Sequence, residues 1–306
     1  MQKYYFPVHL YLANRRKKSH NPGPYSGKAF TVPREGRPGV RVRLYRPRGD
    51  DGSLLPALFN VHGGGWIFGD AESVDLQSQY LANHLRCFVV NVDYRLLDES
   101  PFPYQQTETA DAVEYFLAHA KEYGFDPTRA AVMGYSAGGH IAAGTAMILR
   151  DRGVKLTTQV LGYPFLNFIG FDCADYTGFS GALRVIFNRF AMDVLFEKMP
   201  KDCALLSPAN ASPELLKGLA PAVIVSCGKN DPLLPQAEAY AAKLREAGVK
   251  TVYREYKTAE HGFLEHNFRD DPAVFSEEGE QDTLMRDAVD FIRSQNIFDG
   301  IVSSEA

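Results

Sequence analysis

Short apolar runs alternate with stretches of helical spacing from about residue 41 onward, and that alternation dictates a mostly parallel sheet with helices on both faces. The runs fall at residues 42–45, 57–61, 88–92, 130–133, 159–161, 222–225 and 251–253. Between them, Val113, Phe116, Leu117 and Ala120 share one helical face, ended by Gly124. Ala237, Tyr240, Ala241 and Leu244 repeat the pattern between Pro235 and Gly248, and Leu284, Ala288, Phe291 and Ile292 predict a final helix. The alternation breaks once. Between Tyr163 and Pro221 no strand pattern occurs, while Leu183, Ile186, Phe187, Phe190, Val194 and Leu195 recur at helical spacing. An insert over residues 166–207, together with residues 1–30, is therefore expected to form a small cap on a single domain spanning 1–306. The competing reading is an extra core helix.

Composition narrows the function classes. The chain has 306 residues with 45% hydrophobic content, enough for a large core, and its net charge of −4 offers no basic stripe for nucleic acid. No apolar stretch approaches the roughly 20 residues that span a bilayer. Residues 4–12 are apolar but include Pro7 and His9 and lead into Arg15-Arg16-Lys17-Lys18, the reverse of a secretory signal. A cytoplasmic protein without membrane partners is expected. Cys87, Cys173, Cys203 and Cys227 have no metal-ligand spacing. Cys87 and Cys227 lie in strand-like runs, where a buried reduced thiol is the simpler reading. A Cys173–Cys203 bridge stays open.

Chemistry concentrates in four places. Gly134-Tyr135-Ser136-Ala137-Gly138-Gly139 sits between an apolar strand and a helix-forming segment. A serine with glycine two residues before and after it, at a strand-to-helix turn, is the pattern of a nucleophile elbow. The glycines are needed because a sharp turn that lifts the hydroxyl leaves no room for neighbouring Cβ atoms. His62-Gly63-Gly64-Gly65-Trp66 follows the strand at 57–61. Successive glycines let backbone N–H groups approach a substrate, and with the N–H of Ala137 they would form an oxyanion hole. A phosphate loop is the alternative, but Gly-x-Gly-x-x-Gly and Gly-Lys-Ser/Thr spacings are missing here. Asp231 follows the strand at 222–225, and His261 follows the last strand. The order Ser136, Asp231, His261 is that of an α/β-hydrolase triad. His266 is the nearest rival for the base. His62 is expected to brace its loop and His140 to serve structure.

Taken together, His62-Gly63-Gly64-Gly65, Asp93-Tyr94-Arg95-Leu96, the Gly134–Gly139 segment, Asp231-Pro232-Leu233 and His261-Gly262-Phe263 resemble the α/β-hydrolase-3, or hormone-sensitive-lipase-like, esterase family. The resemblance spans roughly residues 40–295. It implies an α/β-hydrolase fold with an eight-stranded, mostly parallel sheet and a small helical cap. It also implies carboxylesterase activity without a cofactor or metal. By position it makes Ser136 the nucleophile, His261 the base and Asp231 its orienting acid, with Gly64, Gly65 and Ala137 as oxyanion donors. The register within the glycines could shift by one. Trp66, Tyr135 and Phe263 are the candidate pocket residues, and Phe165, Phe168, Phe171, Tyr176 and Phe179 would suit an apolar wall. Two departures touch the substrate. Tyr135 stands where the family usually has aspartate, and Leu97-Asp98 stand in place of alanine-proline. Tyr135 with His140 leans toward related bacterial acetyl or feruloyl esterases. The partner expected is a small-molecule ester, and a homodimer is compatible with the sequence. A peptidase of the prolyl-oligopeptidase kind and a non-catalytic binding protein on the same fold are the rival readings.

Overall fold

The computed structural model describes residues 24–169, 202–228, 230–265 and 280–301. Its strands are β1 (Lys28–Val32), β2 (Val40–Tyr45), β3 (Leu55–Val61), β4 (Phe88–Asp93), β5 (Phe125–Tyr135), β6 (Thr158–Gly162), β7 (Ala222–Cys227) and β8 (Thr251–Tyr256). They form one 8-stranded sheet in the order β1-β2-β4-β3-β5-β6-β7-β8. β2 pairs antiparallel with β1 and β4, and every pairing from β4 to β8 is parallel. The main helices are α1 (Asp75–Leu85), α2 (Tyr104–Ala118), α3 (Ala137–Asp151), α4 (Leu234–Glu246) and α5 (Glu280–Ser294).

The central strands are apolar throughout because both faces of the sheet are covered, and successive side chains go to opposite cores. Phe59, Val90, Val132 and Ile224 point to one side, where Phe116 of α2, Ile141 of α3 and Tyr240 and Leu244 of α4 meet them. Their neighbours Leu58, Val89, Met133 and Val225 point to the other, against Leu81 and Leu85 of α1 and Met285 and Ile292 of α5. Parallel strands deliver their carboxyl ends to a common edge, which is where open α/β sheets hold their ligands. Val61, Tyr135, Gly162, Cys227 and Tyr256 all end there.

The structure departs from the sequence reading at both ends of the expected cap. Residues 28–30 are not cap but part of β1, paired with β2 through Lys28 to Leu44 and Phe30 to Val42. Leu166, Phe168 and Leu206, at the borders of the 166–207 insert, are buried in the main core beside Trp66. The rest of that insert, including Phe171, Tyr176 and Phe179, and the first residues of the chain lie outside the described residues. Among the described residues no helix is long and apolar enough to cross a membrane.

Candidate active site

The turn after β5 is built by steric exclusion. Ser136 has φ 52 and ψ −117, a strained conformation for a residue with a side chain. It is tolerated because the flanking positions are empty. A Cβ on Gly134 would lie 2.2 Å from the Gly138 carbonyl oxygen, and one on Gly138 would lie 2.3 Å from the carbonyl oxygens of Val61 and His62. Backbone bonds clamp the turn from the next strand, since Ser136 N–H donates to Gly162 O at 2.9 Å and Phe165 N–H donates to Ser136 O at 3.1 Å. Helix α3 starts at Ala137, so its free N-terminal N–H groups face the serine.

Two loops from the far end of the sheet close on that serine. His261 Nε2 lies 2.9 Å from Ser136 Oγ, and its Nδ1 lies 2.9 Å from Asp231 Oδ2. A carboxylate can only accept, so the imidazole carries its proton on Nδ1 and presents a lone pair to the serine hydroxyl. Asp231 is 6% exposed and its second oxygen accepts the Leu233 N–H at 3.0 Å, which fixes the carboxylate plane. Ser136, Asp231 and His261 thus meet although 125 and 30 residues separate the hydrogen-bonded pairs. His266, the rival base, lies outside the described residues. Cys227 is a buried free thiol whose Sγ donates to Glu260 O at 3.3 Å, and burial pushes its ionisation up. Cys87 is likewise buried and free, and Cys203 is a free thiol, while Cys173 lies outside the described residues. Cys227, Asp231 and His261 bring ligand atoms within 4.8 Å of one another, but the hydrogen-bonded chain to Ser136 accounts for that proximity.

The glycine loop after β3 turns through positive φ at three successive residues, Gly64 at 109°, Gly65 at 61° and Trp66 at 61°. A Cβ on Gly64 would sit 2.2 Å from Phe68 O, so only glycine fits. Gly63 N–H is taken: it donates to Glu265 Oε1 at 2.8 Å. Gly64 and Gly65 N–H groups donate to no protein acceptor among the described residues, and Gly64 is exposed. His62 holds this loop rather than moving protons. Its Nδ1 meets Gly63 O at 2.8 Å, its ring stacks on Tyr94 at 4.3 Å, and burial lowers its pKa.

The candidate pocket residues turn out differently. Trp66, Tyr135 and Phe263 are 1%, 0% and 1% exposed, so they are core side chains and not pocket walls. Trp66 packs on Phe165 and Phe168 at 5.1 and 5.4 Å, and its Nε1–H donates to His140 Nδ1 at 3.2 Å. Tyr135 alternates to the face opposite α3, where its ring crosses Gly162, and Phe263 packs on Tyr163 and Tyr256. Glu265 was not among the candidates from sequence. Its partner Gly63 is 202 residues away, and no local spacing signals such a contact.

A family model described as alpha/beta hydrolase fold matches residues 58–265, which include the glycine loop, the elbow, Asp231 and His261. The chain belongs to the α/β-hydrolase-3, hormone-sensitive-lipase-like, esterase family. Its similarity to proteins named arylesterase and carboxylesterase supports a carboxylesterase. It is 34% identical to an arylesterase of Saccharolobus solfataricus over 73% of this chain and 72% of the relative. It is 29% identical to the arylacetamide deacetylase of Oryctolagus cuniculus over 80% of this chain and 77% of that protein. An esterase of Pyrobaculum calidifontis superposes with a TM-score of 0.75 at 31% identity, covering 98% of this chain and 92% of its own.

Proposed function

We propose that this esterase cleaves short-chain, acetyl-like carboxylic esters by two-step acyl transfer, with Ser136 as nucleophile, His261 as general base and Asp231 as the acid that orients it. The observation that carries the reading is the unbroken chain from Asp231 through His261 to Ser136, with both contacts at 2.9 Å. His261 takes the Ser136 proton as Oγ attacks the ester carbonyl, and Asp231 stabilises the imidazolium that results. The developing oxyanion is received by the N–H groups of Gly64, Gly65 and Ala137. The engagement of Gly63 N–H by Glu265 supports that register over one shifted toward Gly63. His261 then protonates the leaving alcohol. Water, deprotonated by the same imidazole, attacks the acyl-Ser136 ester and releases the acid.

Two considerations support a short acyl group. Trp66, Phe165 and Phe168 fill the space behind the glycine loop with close-packed rings, and a relative acts under the name of a deacetylase. Acetyl or feruloyl groups on carbohydrate fragments are the alternative read from sequence, but Tyr135 and His140, which suggested it, are both buried. The test is a series of nitrophenyl esters from acetyl to decanoyl, run on the wild type and on Ser136→Ala. Turnover is expected to peak between two and four carbons and to fall by on the order of 10⁶-fold in the variant. A peak at eight carbons or more would refute the short-chain assignment, and full activity without the serine would end the mechanism.

A further inference from the structure

We infer that Glu265 is a positioning residue for the oxyanion loop, holding the Gly63 peptide so that Gly64 and Gly65 point their N–H groups at the reacting carbonyl. The inference rests on the Ser136–His261–Asp231 reading and adds a residue to it. The Glu265 carboxylate accepts the Gly63 N–H through Oε1 at 2.8 Å and the Tyr163 hydroxyl through Oε2 at 3.3 Å. One side chain therefore joins the loops that follow β3, β6 and β8, the three that surround the serine. A Cβ on Gly63 would lie 2.7 Å from Glu265 Oε2, so a larger residue there would push this carboxylate aside.

The loop needs such a hold. Gly64 and Gly65 take positive φ freely, but Trp66 at φ 61 is strained, and strain persists only where the surroundings fix it. The carbonyl side of the Gly63 peptide is gripped by Tyr94, whose hydroxyl donates to Gly63 O at 3.2 Å, and by His62 Nδ1 at 2.8 Å. Glu265 grips the N–H side of the residue with a charge-assisted bond, the stronger kind. The same tight turn carries the base. Phe263 N–H donates to Glu260 O at 3.0 Å and Glu265 N–H donates to Gly262 O at 2.7 Å, with His261 between them. Tyr163, the second partner of Glu265, has its ring 4.8 Å from the His261 ring. Base and oxyanion donors are thus linked through a five-residue turn, although β5, β6 and β7 lie between their strands in the sheet.

The experiment compares Glu265→Ala and Glu265→Gln with the wild type and with Ser136→Ala. It reads kcat and KM on nitrophenyl acetate, and the affinity of a trifluoromethyl ketone that forms a tetrahedral adduct on the serine. Glu265→Ala is expected to lower kcat about 10²-fold, the scale of losing one oxyanion donor, with KM changed only a few-fold. Ketone affinity should fall in parallel with kcat. Glu265→Gln should recover most of the loss, because its amide oxygen can still accept the Gly63 N–H. If Glu265→Ala does not fold, Glu265→Asp draws the carboxylate back by one methylene and carries the same expectation. Wild-type kcat in the alanine or aspartate variant, a defect confined to KM, or a glutamine variant as impaired as alanine would each overturn the assignment. Turnover by Ser136→Ala would overturn the triad instead, so the two failures are distinguishable.

Discussion

At the residue scale the site is a problem in proton placement. Asp231 accepts from both the Leu233 N–H and His261, so the carboxylate needs no third partner and has one orientation. With Asp231 replaced by Asn, the amide would donate where the carboxylate accepted, and the imidazole would have to move its proton to Nε2. That nitrogen could then no longer accept from Ser136. Asp231→Asn is expected to keep the fold and KM and to lose about 10⁴-fold in kcat, as in other triads that acquire the wrong tautomer. The measurement is steady-state kinetics beside a thermal melt. An Asn variant within tenfold of wild-type kcat would mean that Asp231 does not set the tautomer.

At the element scale, the glycine loop, helix α3 and the segment ending at Leu206 are joined through His140. Its Nδ1 accepts the Trp66 indole N–H at 3.2 Å and its Nε2–H donates to Leu206 O at 3.1 Å. A proton added at Nδ1 would face another donor. Burial accordingly pushes His140 from 6.5 down to about 4. Between those values the unfolded chain binds a proton that the folded one refuses, so stability falls as pH drops through the window, by about 1.4 kcal/mol per unit. Asp93, which burial pushes up to about 7, works in the opposite direction over the same range. The comparison therefore belongs between variants. Urea unfolding of His140→Gln against wild type should give stabilities that converge as pH falls from 7 to 4.5. Parallel curves would remove the buried neutral histidine from the account.

For the whole molecule, the sequence was most readable where periodicity and steric need coincide. The central strands and the elbow were legible because both sheet faces are buried and because Gly134 and Gly138 have no substitutes. β1 was not, since only Val32 in Lys28–Val32 is buried and an edge strand with one apolar anchor carries little alternation. α1 was missed for a related reason. Its buried face includes Gln77 and Ser78, and Gln77 earns its place through a hydrogen bond to Leu264 O. The Asp70–Ser73 capping box just ahead of it was the available signal. The expectation that Trp66, Tyr135 and Phe263 line a pocket failed because aromatic content cannot say which rings fill a core. Trp66 and Phe263 are needed to support the glycine loop and Tyr163, and burial consumed them. Glu265 was invisible because its role exists only once β3 and β8 are assembled in one sheet.

The account depends on a single activated hydroxyl at the mouth of that sheet. Treating the enzyme with a fluorophosphonate and mapping the adduct by peptide mass spectrometry tests it directly. One equivalent of label on the peptide containing Ser136, lost together with esterase activity in His261→Ala, is the expected result. Label on another side chain, or an unlabelled enzyme that still hydrolyses esters, would contradict it.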